Sequence, residues 1–143
     1  MEEKELIGWR EWVGLPELGV NKIKAKIDTG ARTSALDVAA CEVVLVEGTK
    51  MARFTIKYGS PRKRKQKTCV AEVLDERRVT DSGGHQEHRV VIATQIQIGA
   101  QRKRIEVTLA RRQGMKFRML LGRTAIADDY LVDANSSYLR PLP

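Results

Sequence analysis

The sequence predicts an all-β, or mostly β, fold, and three observations carry that prediction. β-branched residues are frequent. Short apolar runs alternate with Gly or Ser/Asp turn signals. Apolar residues make up 42% of the 143 residues but aromatics only 5%, so the core has to come from Val, Ile, Leu and Ala. A chain of this length fits one domain, residues 1–143.

Residues 6–13 read as a first strand, closed by Gly14-Leu15-Pro16. Trp9 and Trp12 stand an odd number of positions apart, so a regular strand sends them to opposite faces. Both read as packing residues. Leu18-Gly19-Val20-Asn21 turns the chain into a second strand, Ile23-Lys24-Ala25-Lys26-Ile27, in which Lys24 and Lys26 alternate outward to solvent. That strand runs into Asp28-Thr29-Gly30-Ala31-Arg32-Thr33-Ser34-Ala35. A carboxylate at a strand end is thereby set beside a hydroxyl and a glycine that lets a substrate or another backbone approach. On the tripeptide alone, an ordinary strand exit with an exposed Asp is the more natural reading.

Residues 33–37 show no clear period. Residues 41–46 and 52–58 read as two strands joined by Glu47-Gly48-Thr49-Lys50. In the second, Phe54, Ile56 and Tyr58 share one face and Arg53, Thr55 and Lys57 the other, the mark of a half-exposed antiparallel strand. Residues 62–67 read as a basic loop with five positive charges. Residues 68–80 and 88–99 form a long hairpin around Asp81-Ser82-Gly83-Gly84-His85, and its outer part, residues 74–92, has the polar, glycine-rich tip of a lid or flap. Residues 102–109 make another strand, and Phe117-Arg118-Met119-Leu120-Leu121-Gly122-Arg123 a short one. Residues 124–129 suggest a helix capped by Thr124. Tyr130-Leu131-Val132-Asp133 closes the fold.

The formal charge is +8 and the pI about 9.8, and without the basic loop the charge is only +3. Such a field attracts polyanions. No aromatic is interleaved in the loop for base stacking and no recognition helix is visible, which argues against nucleic acid. A solvated loop, or one that steers an acidic substrate, remains. Cys41 and Cys69 have no spacing that requires a bridge and read as reduced thiols. The charged start, Met1-Glu2-Glu3-Lys4-Glu5, has no apolar run behind it, so neither a secretory signal nor a membrane span is expected, and the cytoplasm is the expected location.

Three features stand in order: the Asp28-Thr29-Gly30-Ala31 turn, a glycine-tipped hairpin, and Leu120-Leu121-Gly122-Arg123 before a short helix. This order resembles the retropepsins, single-lobe aspartic peptidases. The segments 7–13, 23–36 and 117–123 are similar to one bacterial retropepsin-like family, long labelled an ATP-dependent zinc protease. Its members often accompany ATP-grasp ligases that add glutamates to a ribosomal protein. The resemblance covers nearly the whole chain. It implies a retropepsin-like closed β-barrel with one short C-terminal helix. It also implies a flap and a peptidase acting on acidic peptides or a glutamylated protein. The chain departs from the pattern at Asp37, where family members often carry His.

One Asp-Thr-Gly supplies one carboxylate, and aspartic peptidases need two. Two carboxyls about 3 Å apart cannot both ionise, so one stays protonated and the pair titrates as a unit. Asp81-Ser82-Gly83 repeats the pattern formally, but no apolar-apolar-Gly strand pairs with it, and Asp81 reads as a flap-turn residue. A homodimer with isologous contacts at the Asp28 turn is therefore expected. Asp28, Thr29 and Gly30 are the candidate catalytic residues. Ala31, Arg32, Gly83, Gly84 and Arg123 are candidates for substrate binding, with a structural ion pair as the alternative for the two arginines. No metal or other cofactor is expected. His85-Gln86-Glu87-His88 is not a His-Glu-x-x-His zinc motif, and no phosphate-cradling P-loop is present. Any ATP dependence would come from a partner such as the ligase. The rival from another class is a non-catalytic module that holds an acidic tail or a ligase.

Overall fold

The computed structural model describes residues 3–80, 83–111 and 116–143. Among them the chain forms nine strands and one short helix: β1 Glu5–Leu15, β2 Val20–Asp28, β3 Ser34–Val46, β4 Thr49–Gly59, β5 Arg64–Thr80, β6 Gln86–Ile98, β7 Gln101–Ala110, β8 Met119–Gly122, α1 Arg123–Ile126 and β9 Tyr130–Ser137. A 3-10 turn, Pro16–Leu18, links β1 to β2. The all-β prediction holds.

The strands form one sheet in the order β4-β5-β6-β7-β3-β8-β2-β1-β9, with further pairings β4–β3 and β6–β1 that bring it nearly into a ring. The long strands permit this. β3 runs for 13 residues, pairing with β7 and β8 through its first part and with β4 through its second. Its start, residues 34–37, is the segment without a sequence period. It is flanked by β7 on one side and β8 on the other, and Ser34, Leu36, Asp37 and Val38 are all buried. A strand covered on both faces has no reason to alternate.

The core is aliphatic. Ile23, Ala25 and Ile27 of β2 face it, with Ile7 and Val13 of β1 and Met119 and Leu121 of β8. Phe54 and Ile56 of β4 join them, while Arg53 and Lys57 point outward. Trp9 and Trp12 both pack against other rings: Trp9 meets Phe117 edge-on at 5.9 Å, and Trp12 stacks on Tyr138 at 5.8 Å. The β3–β4 hairpin turns at Glu47-Gly48, between the paired Val46 and Thr49. Both turn residues have positive φ, 50° and 81°, the left-handed pair that a two-residue hairpin loop prefers and glycine adopts without strain.

Three expected boundaries move. The basic loop 62–67 is largely strand: β5 starts at Arg64, and Arg64 to Lys67 pair with Gly59 to Ile56 of β4. Only the Ser60–Lys63 turn is loop, closed by reciprocal backbone hydrogen bonds of 3.2 and 3.1 Å. The helix starts at Arg123 and spans four residues, with no side-chain cap; Thr124 is inside it. The last strand continues to Ser137, parallel to β1. The hairpin expected at 74–92 is present in β5 and β6, which pair from Thr80↔Gln86 inward. Asp81 lies outside the described residues.

Among the described residues no helix is long and apolar enough to cross a membrane.

Candidate active site

Asp28 ends β2 because the strand's alternation brings it there. Ile23, Ala25 and Ile27 are buried, and the even-numbered residues, Asp28 included, point the other way. β8 runs parallel beside β2 and pairs Asp28 with Gly122. The chain after Asp28 folds back at once: Ala31 N–H donates to the Asp28 carbonyl at 3.2 Å, and Gly30 N–H donates to Asp28 Oδ1 at 3.2 Å. The carboxylate is thus oriented by its own turn. It is half-buried, Thr29 and Gly30 are exposed, and among the described residues Asp28 forms no ion pair.

The turn is fastened from behind by β8 and α1. Arg123 N–H donates to the Ala31 carbonyl at 2.8 Å, and Thr124 N–H to the Arg32 carbonyl at 3.2 Å. The Thr124 hydroxyl donates to the same Arg32 carbonyl at 2.8 Å. Gly122 N–H donates to Ser34 Oγ at 3.1 Å, in a buried position. A Cβ on Gly122 would lie 2.6 Å from the Thr33 carbonyl carbon and 2.7 Å from its oxygen, so only glycine lets the two segments meet this closely.

The structure therefore brings together Asp28, Thr29, Gly30, Ala31, Arg32 and Arg123, all singled out in the sequence. Arg123 donates from its guanidinium to the Gly30 carbonyl at 3.2 Å. Neither it nor Arg32 forms an ion pair among the described residues. Both side chains are exposed. Gly83 and Gly84 lie at the exposed end of the β5–β6 hairpin, with Gly84 at φ 83°.

Ser34 and Thr124 hold the turn in place, and sequence reasoning assigned them no such role. Hydroxyls beside a turn carry no signal that separates a buried acceptor from a solvated one. Asp37 is another buried polar group, 7% exposed, joined to Arg118 at 2.5 Å.

Zinc fits poorly. Among the described residues no three His, Cys, Asp or Glu side chains gather as a metal site requires. His88 Nε2 is hydrogen-bonded to Glu76 Oε2 at 2.7 Å, and Lys50 approaches the other oxygen of that carboxylate at 3.0 Å.

Comparison with known proteins places the chain by family and fold. The RimB-like family, described as retropepsin-like aspartic endopeptidase RimB, matches residues 6–143. A protein of Shewanella pealeana named a probable alpha-L-glutamate ligase is 37% identical over 137 residues, covering 96% of this chain and 30% of the relative. A protein of Desulfotalea psychrophila with the same name is 36% identical over 130 residues, covering 91% of this chain and 28% of its own length. The chain thus spans less than a third of these curated relatives. A crystal structure of a Legionella pneumophila protein of unknown function superposes with a TM-score of 0.78 at 23% identity, covering 96% of this chain and 98% of that one.

Proposed function

We propose that this chain, which belongs to the RimB-like family of retropepsin-like aspartic endopeptidases, hydrolyses peptide bonds in acidic, glutamate-rich polypeptides with two Asp28 carboxylates, one from each subunit of a homodimer. The observation that carries the reading is the Asp28 turn. Its carboxylate stands at a strand end, oriented by Gly30 N–H and backed by Gly122, Ser34 and Thr124, with the neighbouring Thr29 and Gly30 open to approach.

In the dimer the two carboxyls share one proton. The ionised one takes a proton from water as the water oxygen attacks the peptide carbonyl carbon. The protonated one gives its proton to the carbonyl oxygen. Collapse of the tetrahedral carbon breaks the C–N bond as the carboxyl that took the water's proton gives it to the nitrogen, while one of the carbon's two hydroxyls returns a proton to the other carboxylate. Thr29 holds the two turns together across the twofold axis. No metal or ATP enters the step.

The glutamate preference draws support from the net charge and from relatives named as glutamate ligases, which carry a segment like this chain within a longer protein. In this reading Arg32 and Arg123, exposed beside the turn, meet the substrate carboxylates. The same relatives favour a second reading: a module that holds an acidic tail for a ligase without cutting it.

The Asp28→Asn variant tests the first reading. It should keep its fold and lose at least about a thousandfold in kcat toward a glutamate peptide that the wild type cleaves. Wild-type-like cleavage by Asp28→Asn removes the dyad. Binding without cleavage by the wild type leaves the holding module. Equal cleavage of neutral and acidic peptides at low salt removes the charge preference.

A further inference from the structure

The outward face of β2 carries more than Asp28. Lys22, Lys24 and Lys26 point the same way as the aspartate, and all three are exposed. Alternate side chains of a strand recur about every 6.6 Å, so the four outward side chains from Lys22 to Asp28 form a file about 20 Å long. β1 adds to this face through its pairing: Trp12 stands opposite Lys24 and Arg10 opposite Lys26.

Three of these cations, Lys22, Lys24 and Arg10, are held by aromatic faces. The Lys22 and Lys24 ammonium groups lie 4.8 and 5.2 Å from the Trp12 ring centre. The Arg10 guanidinium lies 4.5 Å from Trp9 and 5.1 Å from Tyr138. Among the described residues, none of Lys22, Lys24 and Lys26 has a carboxylate partner. A ring face fixes a cation in place but leaves its charge unneutralised. At the end remote from Asp28 the file opens into a cleft of about 340 Å³, walled by Trp12 and Tyr58 and edged by Lys22, Lys63 and Lys65. The β4–β5 hairpin thereby delivers its basic residues to the start of this file.

We propose that the outward face of β2, from the Trp12–Tyr58 cleft to Asp28, is a binding track for an extended acidic polypeptide. An extended peptide repeats its side chains at the same two-residue spacing, so alternate glutamates of one chain meet successive lysines. An incoming carboxylate has no internal ion pair to displace. The occupant is a peptide and not a single-stranded nucleic acid for two reasons. The file leads to the acid proposed to cut peptide bonds, and in that respect the inference rests on the peptidase reading. The Trp12 ring is also already engaged, by Tyr138 and two ammonium groups, so a base lacks a free platform there.

The test is binding in the full chain carrying Asp28→Asn, which separates the track from cleavage. The probe is a fluorescently labelled run of about eight glutamates, enough to span the file. The added changes Lys22→Gln, Lys24→Gln and Lys26→Gln should weaken it about tenfold without lowering Tm. Arg53→Gln, Arg102→Gln and Arg104→Gln, which remove the same charge elsewhere, should weaken it by less than about threefold. Unchanged affinity in the lysine variant overturns the track, as does an equal loss in the arginine control. Tighter binding of an oligothymidylate of the same charge overturns the peptide assignment. A failed peptidase reading shows differently: the wild type cleaves no glutamate peptide while these affinities keep their order.

Discussion

Gly122, paired with Asp28, leaves no room for a Cβ against the backbone of Thr33. A methyl group on Gly122 meets a carbonyl, not a flexible side chain, so the strands have to part. Gly122→Ala should therefore cost about 1–3 kcal/mol. Ser34→Ala should cost a similar amount, about 1–3 kcal/mol, by a different route: Gly122 N–H is left buried without an acceptor. Urea unfolding measures both. The two share one junction, so the double variant should lose less than the sum of the singles. Additive losses would mean that Ser34 and Gly122 act independently. Of this pair only the glycine was legible, through the apolar-apolar-Gly pattern of the resemblance. Glu11 was illegible altogether. Its side chain is fully buried and accepts from the backbone N–H groups of Gly8, Leu139 and Arg140 at 2.7, 2.8 and 3.0 Å. Two of those donors lie 128 and 129 residues further along the chain, and nothing local to a Glu in a strand announces them.

Among the elements, those with alternating patterns were readable. β2 and β4 bury one face and expose the other, and their side chains fall where the period places them. The basic run was misread because five cations in six residues suggest solvated loop. Pairing with β4 overrides that: strand residues with outward charges are stable where a neighbouring strand supplies the backbone hydrogen bonds. The β5–β6 hairpin is tied at its base by charge. Glu76 meets Lys50 of β4 and His88 of β6, and these two hydrogen bonds, that of Lys50 first, hold its carboxyl below the ordinary value of 4.5. A carboxyl lowered by folding stabilises the fold above its unfolded value and stops doing so as pH falls through its folded value. Amide exchange across residues 74–92 should therefore speed up relative to the rest of the sheet as pH drops below about 4. Glu76→Gln should remove that dependence, and an unchanged acid response in the variant would place its origin in another group.

At the scale of the molecule, the Asp28 turn of one chain supplies one carboxylate, and the proposed chemistry takes two. The fold brings its sheet nearly into a ring around a single aliphatic core, leaving the Asp28 turn at the surface with Thr29 and Gly30 exposed. An exposed turn of that kind is available for an isologous contact, in which each copy presents the same residues to the other. Mixing subunits tests this directly. If each active centre combines two copies of Asp28, a wild-type chain paired with an Asp28→Asn chain has one acid and no shared proton. After equal mixing and exchange of subunits, only about a quarter of the dimers are homogeneous wild type, so activity should fall to about a quarter of that of unmixed wild type at the same total concentration. A centre complete within one chain retains about half. Activity plotted against the wild-type fraction therefore curves as its square for the shared centre and runs straight for the single-chain centre. The same measurement at falling total protein should show specific activity dropping as dimers dissociate, whereas a single-chain centre holds its specific activity at every dilution.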